Sequence, residues 1–143
     1  MAFLEKELYI ADSKIPGAGQ GLFTKVFIPK GTRVVEYKGK KTDWKEASKN
    51  PDNPYIFFIS NACVIDALSF KKAFGRYAND ASGLKKVTGL KNNSEYVIDG
   101  ERVFIETLKD VPAGAEILIS YGKDYWDTIR QNAKLDAKLW IAP

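Results

Sequence analysis

Few of the 143 residues carry side chains that do chemistry unaided. There is no histidine. That removes the usual general base, the commonest metal ligand and every Ser/His or Cys/His pair. Cys63 is the single cysteine, which excludes an intramolecular disulfide and a cysteine-rich zinc cluster. Set beside Val64 and Ile65, it reads as structural. What remains is a glycine run, Gly17-Ala18-Gly19-Gln20-Gly21, an Asn79-Asp80 pair, and tyrosines at the ends of apolar runs, Tyr55 opening residues 55–59 and Tyr121 closing residues 116–121. Such a set suits positioning and desolvation of a reactive group better than hydrolysis. Each member also has a plain structural use. The glycines make a tight turn, Asn79 forms a turn, Tyr121 and Tyr55 pack as core or rim tyrosines, and Trp126 packs on a helix face.

The elements that must position these residues are short. A chain of this length makes about one domain and buries roughly 68% of its unfolded surface, enough to fold without a staple. The 45% hydrophobic content argues for a packed globule rather than disorder. Residues 8–10, 22–28, 34–37, 55–59, 62–67, 96–98, 102–108 and 116–121 have strand composition between turn signals. Asp99-Gly100 is the strongest hairpin signal. Asp43 with Glu46 resembles a capping box, predicting a short helix over 44–49 that ends before Pro51. Beyond Lys123, the spacing of Trp126, Ile129, Ala133, Ala137 and Trp140 predicts an amphipathic terminal helix. The expected fold is mainly β in a single domain spanning residues 1–143. A dinucleotide fingerprint should open a helix, whereas the glycine run leads into Leu22-Phe23-Thr24-Lys25-Val26-Phe27, a strand, so it is not one.

The net charge is +4, and it is uneven. Lys71, Lys72, Arg76, Lys85, Lys86 and Lys91 face one acid, Asp80, within 21 residues. A solvated basic loop is the plain reading; nucleic-acid contact is unlikely or indirect, because no aromatic interleaving of a recognised module accompanies the charge. No run approaches the ~18 apolar residues of a membrane span. The expected compartment is therefore cytoplasmic, or nuclear in a eukaryotic source, with no membrane partner. Monomer and homodimer both stay open.

Three segments in this order resemble the SET-domain family of protein-lysine methyltransferases, most nearly its minimal bacterial and viral members. Gly19-Gln20-Gly21-Leu22-Phe23 resembles the family's glycine motif. Gly75-Arg76-Tyr77-Ala78-Asn79-Asp80-Ala81-Ser82 is similar to its Arg-Phe-x-Asn-His-Ser segment, and Gly114-Ala115-Glu116-Ile117-Leu118-Ile119-Ser120-Tyr121-Gly122 to its closing Gly-Glu-Glu-Leu-x-x-x-Tyr-Gly motif. Asn92-Asn93 resembles its Pro-Asn. The match spans residues 5–126.

The resemblance implies a knot-like β-clip fold, closed by residues 123–143, that transfers methyl from S-adenosylmethionine to a lysine amine of a protein or peptide, leaving S-adenosylhomocysteine and using no metal. It implies cofactor contacts at Gly19, Gln20, Gly21, Leu22, Arg76, Asn79, Asp80 and Tyr121, with Trp126 over the adenine. Tyr121 takes the place of the catalytic tyrosine, and Tyr55 that of a second tyrosine lining the lysine channel. Ile119 stands where relatives often carry Phe or Tyr; lacking a hydroxyl, it implies room for di- or trimethylation. One departure is Asp80 in place of the family's histidine, and a non-catalytic SET-like binding module with a drifted cofactor pocket is the alternative it raises. Substrate identity stays open, a histone-like protein being one candidate among several. Lysine methylation itself needs no metal and no nucleophilic side chain, only an oriented, deprotonated amine, and this composition can meet that demand.

Overall fold

The computed structural model describes residues 4–50, 53, 55–81 and 89–121. Among the described residues, eight short strands form three antiparallel sheets. In the first, β1 (Leu8–Asp12) pairs with β2 (Gln20–Thr24) in unbroken register, Leu8 opposite Thr24 and Asp12 opposite Gln20. The second has the order β3 (Arg33–Glu36), β8 (Arg102–Thr107), β7 (Ser94–Asp99). The third places β6 (Cys63–Asp66) between β4 (Lys40–Thr42) and β5 (Ile56–Ser60). A short helix, α1 (Trp44–Ala47), starts where Asp43 Oδ1 accepts the Glu46 amide at 2.9 Å. This is an N-cap that satisfies one of the helix's orphan donors.

Most strands fall within two residues of the expected runs, but the strand expected over 22–28 is β2, which ends at Thr24 where residues 25 and 26 bend, and the helix expected over 44–49 stops at Ala47. The glycine run does not stop short of β2. Gln20 and Gly21 belong to the ladder, opposite Asp12 and Ala11. In the β7–β8 hairpin, Asp99 pairs with Arg102, so the two-residue loop is Gly100-Glu101. Gly100 has φ +63°, and the positive φ at the first loop position alone is the type II′ pattern that suits strand twist. Strand β4 is Lys-Lys-Thr, which has no apolar alternation to announce it. Residues 74–77 form a 3-10 turn, Phe74–Tyr77, that propensity does not foretell. The expected terminal helix from Lys123, with Trp126, lies outside the described residues.

Residues 116–121 have the composition of a strand, yet they run extended without forming a regular one. The segment makes single bridges on both sides instead: Glu116 with Phe23, Leu118 with Asn79 and Ile119 with Ser94. Each neighbour belongs to a different part of the chain, so no ladder can extend. Being flanked on both edges, Glu116, Ile117, Leu118 and Ile119 are all buried. Ile117 and Ile119 enter the main core with Leu22, Ile28, Val34, Val35 and Ile105. Leu118 enters a second cluster with Ile15 and Ala81. One segment thus ties two cores together, and its continuous apolar run is what two-sided burial requires.

Candidate functional site

The three motifs meet along this segment. On one side the Ile117 amide donates to the Leu22 carbonyl at 2.7 Å, joining the closing motif to the glycine strand. On the other the Ile119 amide donates to the Asn79 carbonyl at 2.8 Å. The Asn79 side chain in turn donates from Nδ2 to the Gln20 carbonyl at 2.9 Å. Gly19, Gln20, Gly21, Leu22, Asn79, Asp80 and Tyr121 are thereby brought together.

Tyr121 is held at both ends by residues 78–80. Its hydroxyl donates to the Ala78 carbonyl at 2.5 Å. Its backbone amide donates to Asp80 Oδ2 at 2.7 Å. Its ring stacks on Tyr96, centroids 6.4 Å apart and planes 21° from parallel. Tyr96 meets the edges of Phe57 (5.0 Å) and Tyr37 (5.9 Å). An aromatic file therefore leads from Tyr121 across β7 to β5. Tyr96 is not among the sequence-predicted site residues. The signal for it is its place two residues beyond the buried Ser94, on the same face of a strand that follows Asn93.

Tyr55 sits elsewhere in this file. Its ring lies 3.8 Å beneath the Arg76 guanidinium carbon and packs, with Phe57, Ile59 and Tyr96, on the cluster of Tyr37, Ile65, Ala67 and Val103. Arg76 Nη1 donates to the carbonyls of Ala67 (2.8 Å) and Leu68 (2.7 Å). The structure thus gives Arg76 the work of bracing the turn after β6 against Tyr55.

The polar side chains around the segment are bound inward. Glu116, 3% exposed, accepts from Ser13 Oγ (2.6 Å) and the Lys14 amide (2.9 Å). A Cβ on Gly21 would run into that carboxylate, which accounts for the glycine there. Asn93 donates to the Glu116 carbonyl (2.9 Å) and accepts from the Leu118 amide (3.1 Å). Asp80, 4% exposed, reaches both Tyr121 and Asn92. Cys63 is buried at the far sheet, where desolvation pushes its thiol above the ordinary 9.0, as does the nearby Glu101 carboxylate. A thiol so placed is a poor nucleophile.

The residues present fit an amino-acid-bearing nucleoside cofactor. Gly19 adopts φ +73°, and a side chain there would project into open space. The Asn79 amide is anchored beside it. The Asp80 carboxylate is turned into the fold toward Tyr121 and Asn92, so its replacement of histidine adds no outward-facing negative charge.

The family model for the SET domain matches residues 19–122, from the glycine motif to one residue beyond Tyr121. Among solved structures, the methyltransferase domain of human PR domain-containing protein 2 superposes with a TM-score of 0.61. That alignment covers 81% of this chain and 77% of the other at 23% identity, a likeness of fold. Given three motifs drawn together by one closing segment and a match over most of the chain, the protein belongs to the SET-domain family.

Proposed function

We propose that the chain is an S-adenosylmethionine-dependent protein-lysine methyltransferase with Tyr121 as its central catalytic residue. The observation that carries this reading is the double tether of Tyr121, hydroxyl to the Ala78 carbonyl and amide to Asp80, beside an Asn79 bound to the glycine strand. S-adenosylmethionine supplies, when bound, an electrophilic methyl group on a sulfonium centre. The backbones of residues 19–22 and 80 and the Asn79 side chain are assigned to holding it. Trp126 is assigned to covering the adenine. Arg76 serves this site by bracing Tyr55.

The rest of the chemistry belongs to the aromatic file. A lysine ammonium has an ordinary pKa near 10.4, and the amine must be neutral to attack. Ring faces attract the cation by about 0.5–2 kcal/mol. Desolvation among Tyr121, Tyr96, Phe57 and Tyr37 opposes the charge by up to about 3–5 pKa units, which is the larger effect. The net push is toward the free amine. The Tyr121 hydroxyl and the Ala78 carbonyl then orient its lone pair, and such positioning supplies at most ~7–11 kcal/mol. Tyr55 contributes as a wall of the same channel.

Titrating S-adenosylmethionine and S-adenosylhomocysteine while following thermal melting tests the cofactor assignment without a known substrate. Ligand at ~100 times its dissociation constant stabilises by about 2.7 kcal/mol, a midpoint shift of roughly 5–10 °C. Asn79→Ala should shrink the shift. No shift at millimolar ligand overturns the reading in favour of a binding module with a drifted pocket. With a lysine-bearing protein in hand, Tyr121→Phe should slow transfer by about 10²–10³-fold while melting like the parent.

The degree of methylation follows from Ile119. Its side chain is fully buried in the main core, against which Tyr96 and Tyr121 also pack, and it places no hydroxyl there. Mass spectra should show di- or trimethyl product, and an accumulation of monomethyl product alone at long incubation would sink this point.

A further inference from the structure

We propose that Asp80 and Asn92 form a clamp that positions Tyr121, with the clamp's polarity set by the backbone. This rests on the catalytic assignment of Tyr121 above. The Ala81 amide can only donate, and it donates to Asn92 Oδ1 at 2.8 Å. That contact fixes which end of the carboxamide faces which way, leaving the Asn92 NH2 group to donate to Asp80 Oδ1 at 2.8 Å. The Tyr121 amide, again able only to donate, takes Asp80 Oδ2 at 2.7 Å. Position 80 must therefore present two acceptors, and an ionised carboxylate is the side chain that does so without a competing donor. Asp80 and Asn92 are a matched pair, one all acceptor at the contact, the other donor toward its partner and acceptor toward Ala81.

The geometry explains why this matters for the site and not for stability alone. The end of the closing segment is gripped by three consecutive residues, two of which hold Tyr121 itself. Ala78 takes its hydroxyl, the Asn79 carbonyl takes the amide of Ile119 two residues earlier, and Asp80 takes its own amide. Releasing the amide end leaves the ring free to swing about its hydroxyl contact. A reacting group must be held within ~10–20° of its productive direction, so such freedom falls on turnover before it falls on folding. Asp80 is then a positioning residue. It acts through Tyr121, and the histidine common in relatives is not needed for this task.

The fixed polarity of the three hydrogen bonds permits a reciprocal test. Asp80→Asn keeps the shape but turns an NH2 group either onto the Tyr121 amide or onto the Asn92 NH2. Asn92→Asp alone sets a half-buried carboxylate against the buried one of Asp80. The double variant D80N/N92D reverses the middle hydrogen bond and keeps all three: Asn at 80 accepts from Tyr121 and donates to Asp at 92, which accepts from Ala81. Amide hydrogen exchange at Tyr121 in the purified full chain reads the clamp directly. Exchange should quicken roughly 10- to 100-fold in Asp80→Asn and return toward the parent rate in the double variant. Methyl transfer should follow the same order through kcat, with KM changed by less than about twofold. Unchanged Tyr121 exchange in Asp80→Asn, or a double variant no better protected than the single one, overturns the clamp. Should Asp80→Asn fail to fold, the recovery or non-recovery of the double variant decides. A parent protein that transfers no methyl group defeats the proposed activity, while the exchange rates still decide for or against the clamp.

Discussion

Two polar networks of similar size sit in different surroundings. Around residues 116–121, Ser13, Asp80, Asn92, Asn93 and Glu116 bind one another and the backbone, with the Asp80 and Glu116 carboxylates buried and the other three half-buried. On the face of β3 and β8, Arg33 pairs with Glu106 (2.8 Å) and Asp99 (3.2 Å), and Arg102 with Glu36 (2.8 Å). The second set carries more charge and is the more conspicuous in a sequence. It is also half exposed, with the Arg102 side chain at 53% and Asp99 at 66%, where solvent and salt screen the attraction. The first set carries few charges, yet it is built on two buried carboxylates, and removing a partner strands donors or acceptors where little water reaches. Consequence is set by burial here, not by formal charge.

Substitutions can break this contrast. The largest effect is expected from Glu116→Ala, which orphans Ser13 Oγ and the Lys14 amide and opens space beside Gly21. Denaturant melts should show a loss of about 2–5 kcal/mol. Asn93→Ala should cost about 2–3 kcal/mol through the Glu116 carbonyl and Leu118 amide. Since both sit in one network, the double variant should lose measurably less than the two singles together; strict additivity would mean that the network is not one unit.

The exposed set should respond weakly. Hydrogen bonding from Arg102 holds the Glu36 carboxyl below its ordinary 4.5, against a smaller opposing desolvation. A depressed carboxylate stabilises the fold above its ordinary range and ceases to do so as pH falls through the lowered value. Glu36→Gln should therefore shift the melting midpoint by about 0–3 °C at pH 7. That difference should shrink as the pH drops below 4.5 and in 1 M salt. Arg102→Gln should cost more than Glu36→Gln, because the guanidinium also lies 4.8 Å from the buried Phe104 ring. Equal effects would show that charge alone is at work.

The same contrast explains what could be read from sequence. Strands with apolar alternation or a flanking turn are legible, as Asp99-Gly100 and the run over Cys63–Asp66 demonstrate. The order of the three motifs also carries the family, because backbone-rich sites keep their glycines and tyrosines. Strand β4 is not legible, since Lys40, Lys41 and Thr42 are recruited by pairing with Val64, Ile65 and Asp66 rather than by their own propensity. The inward turn of Asp80 is not legible either. It depends on Asn92, twelve residues away, and on the one direction in which an amide can donate. Tyr96 escapes for a related reason, its value lying in a ring that only the fold sets beside Tyr121.

The closing segment also dictates when the protein can come into being. The Ser13–Glu116 contact spans 103 residues, whereas the β1–β2 and β7–β8 hairpins close over short loops. Local hairpins form first and long-range contacts late, and a high share of the latter slows folding. During synthesis at about 5–20 residues per second, the early sheets can assemble while the glycine strand and Asn79 still wait for residues 116–121. A nascent chain halted before that point has its local hairpins but lacks the segment that joins the two cores and carries Tyr121. The three motifs are thus drawn together in one late event, by the segment that ties both cores.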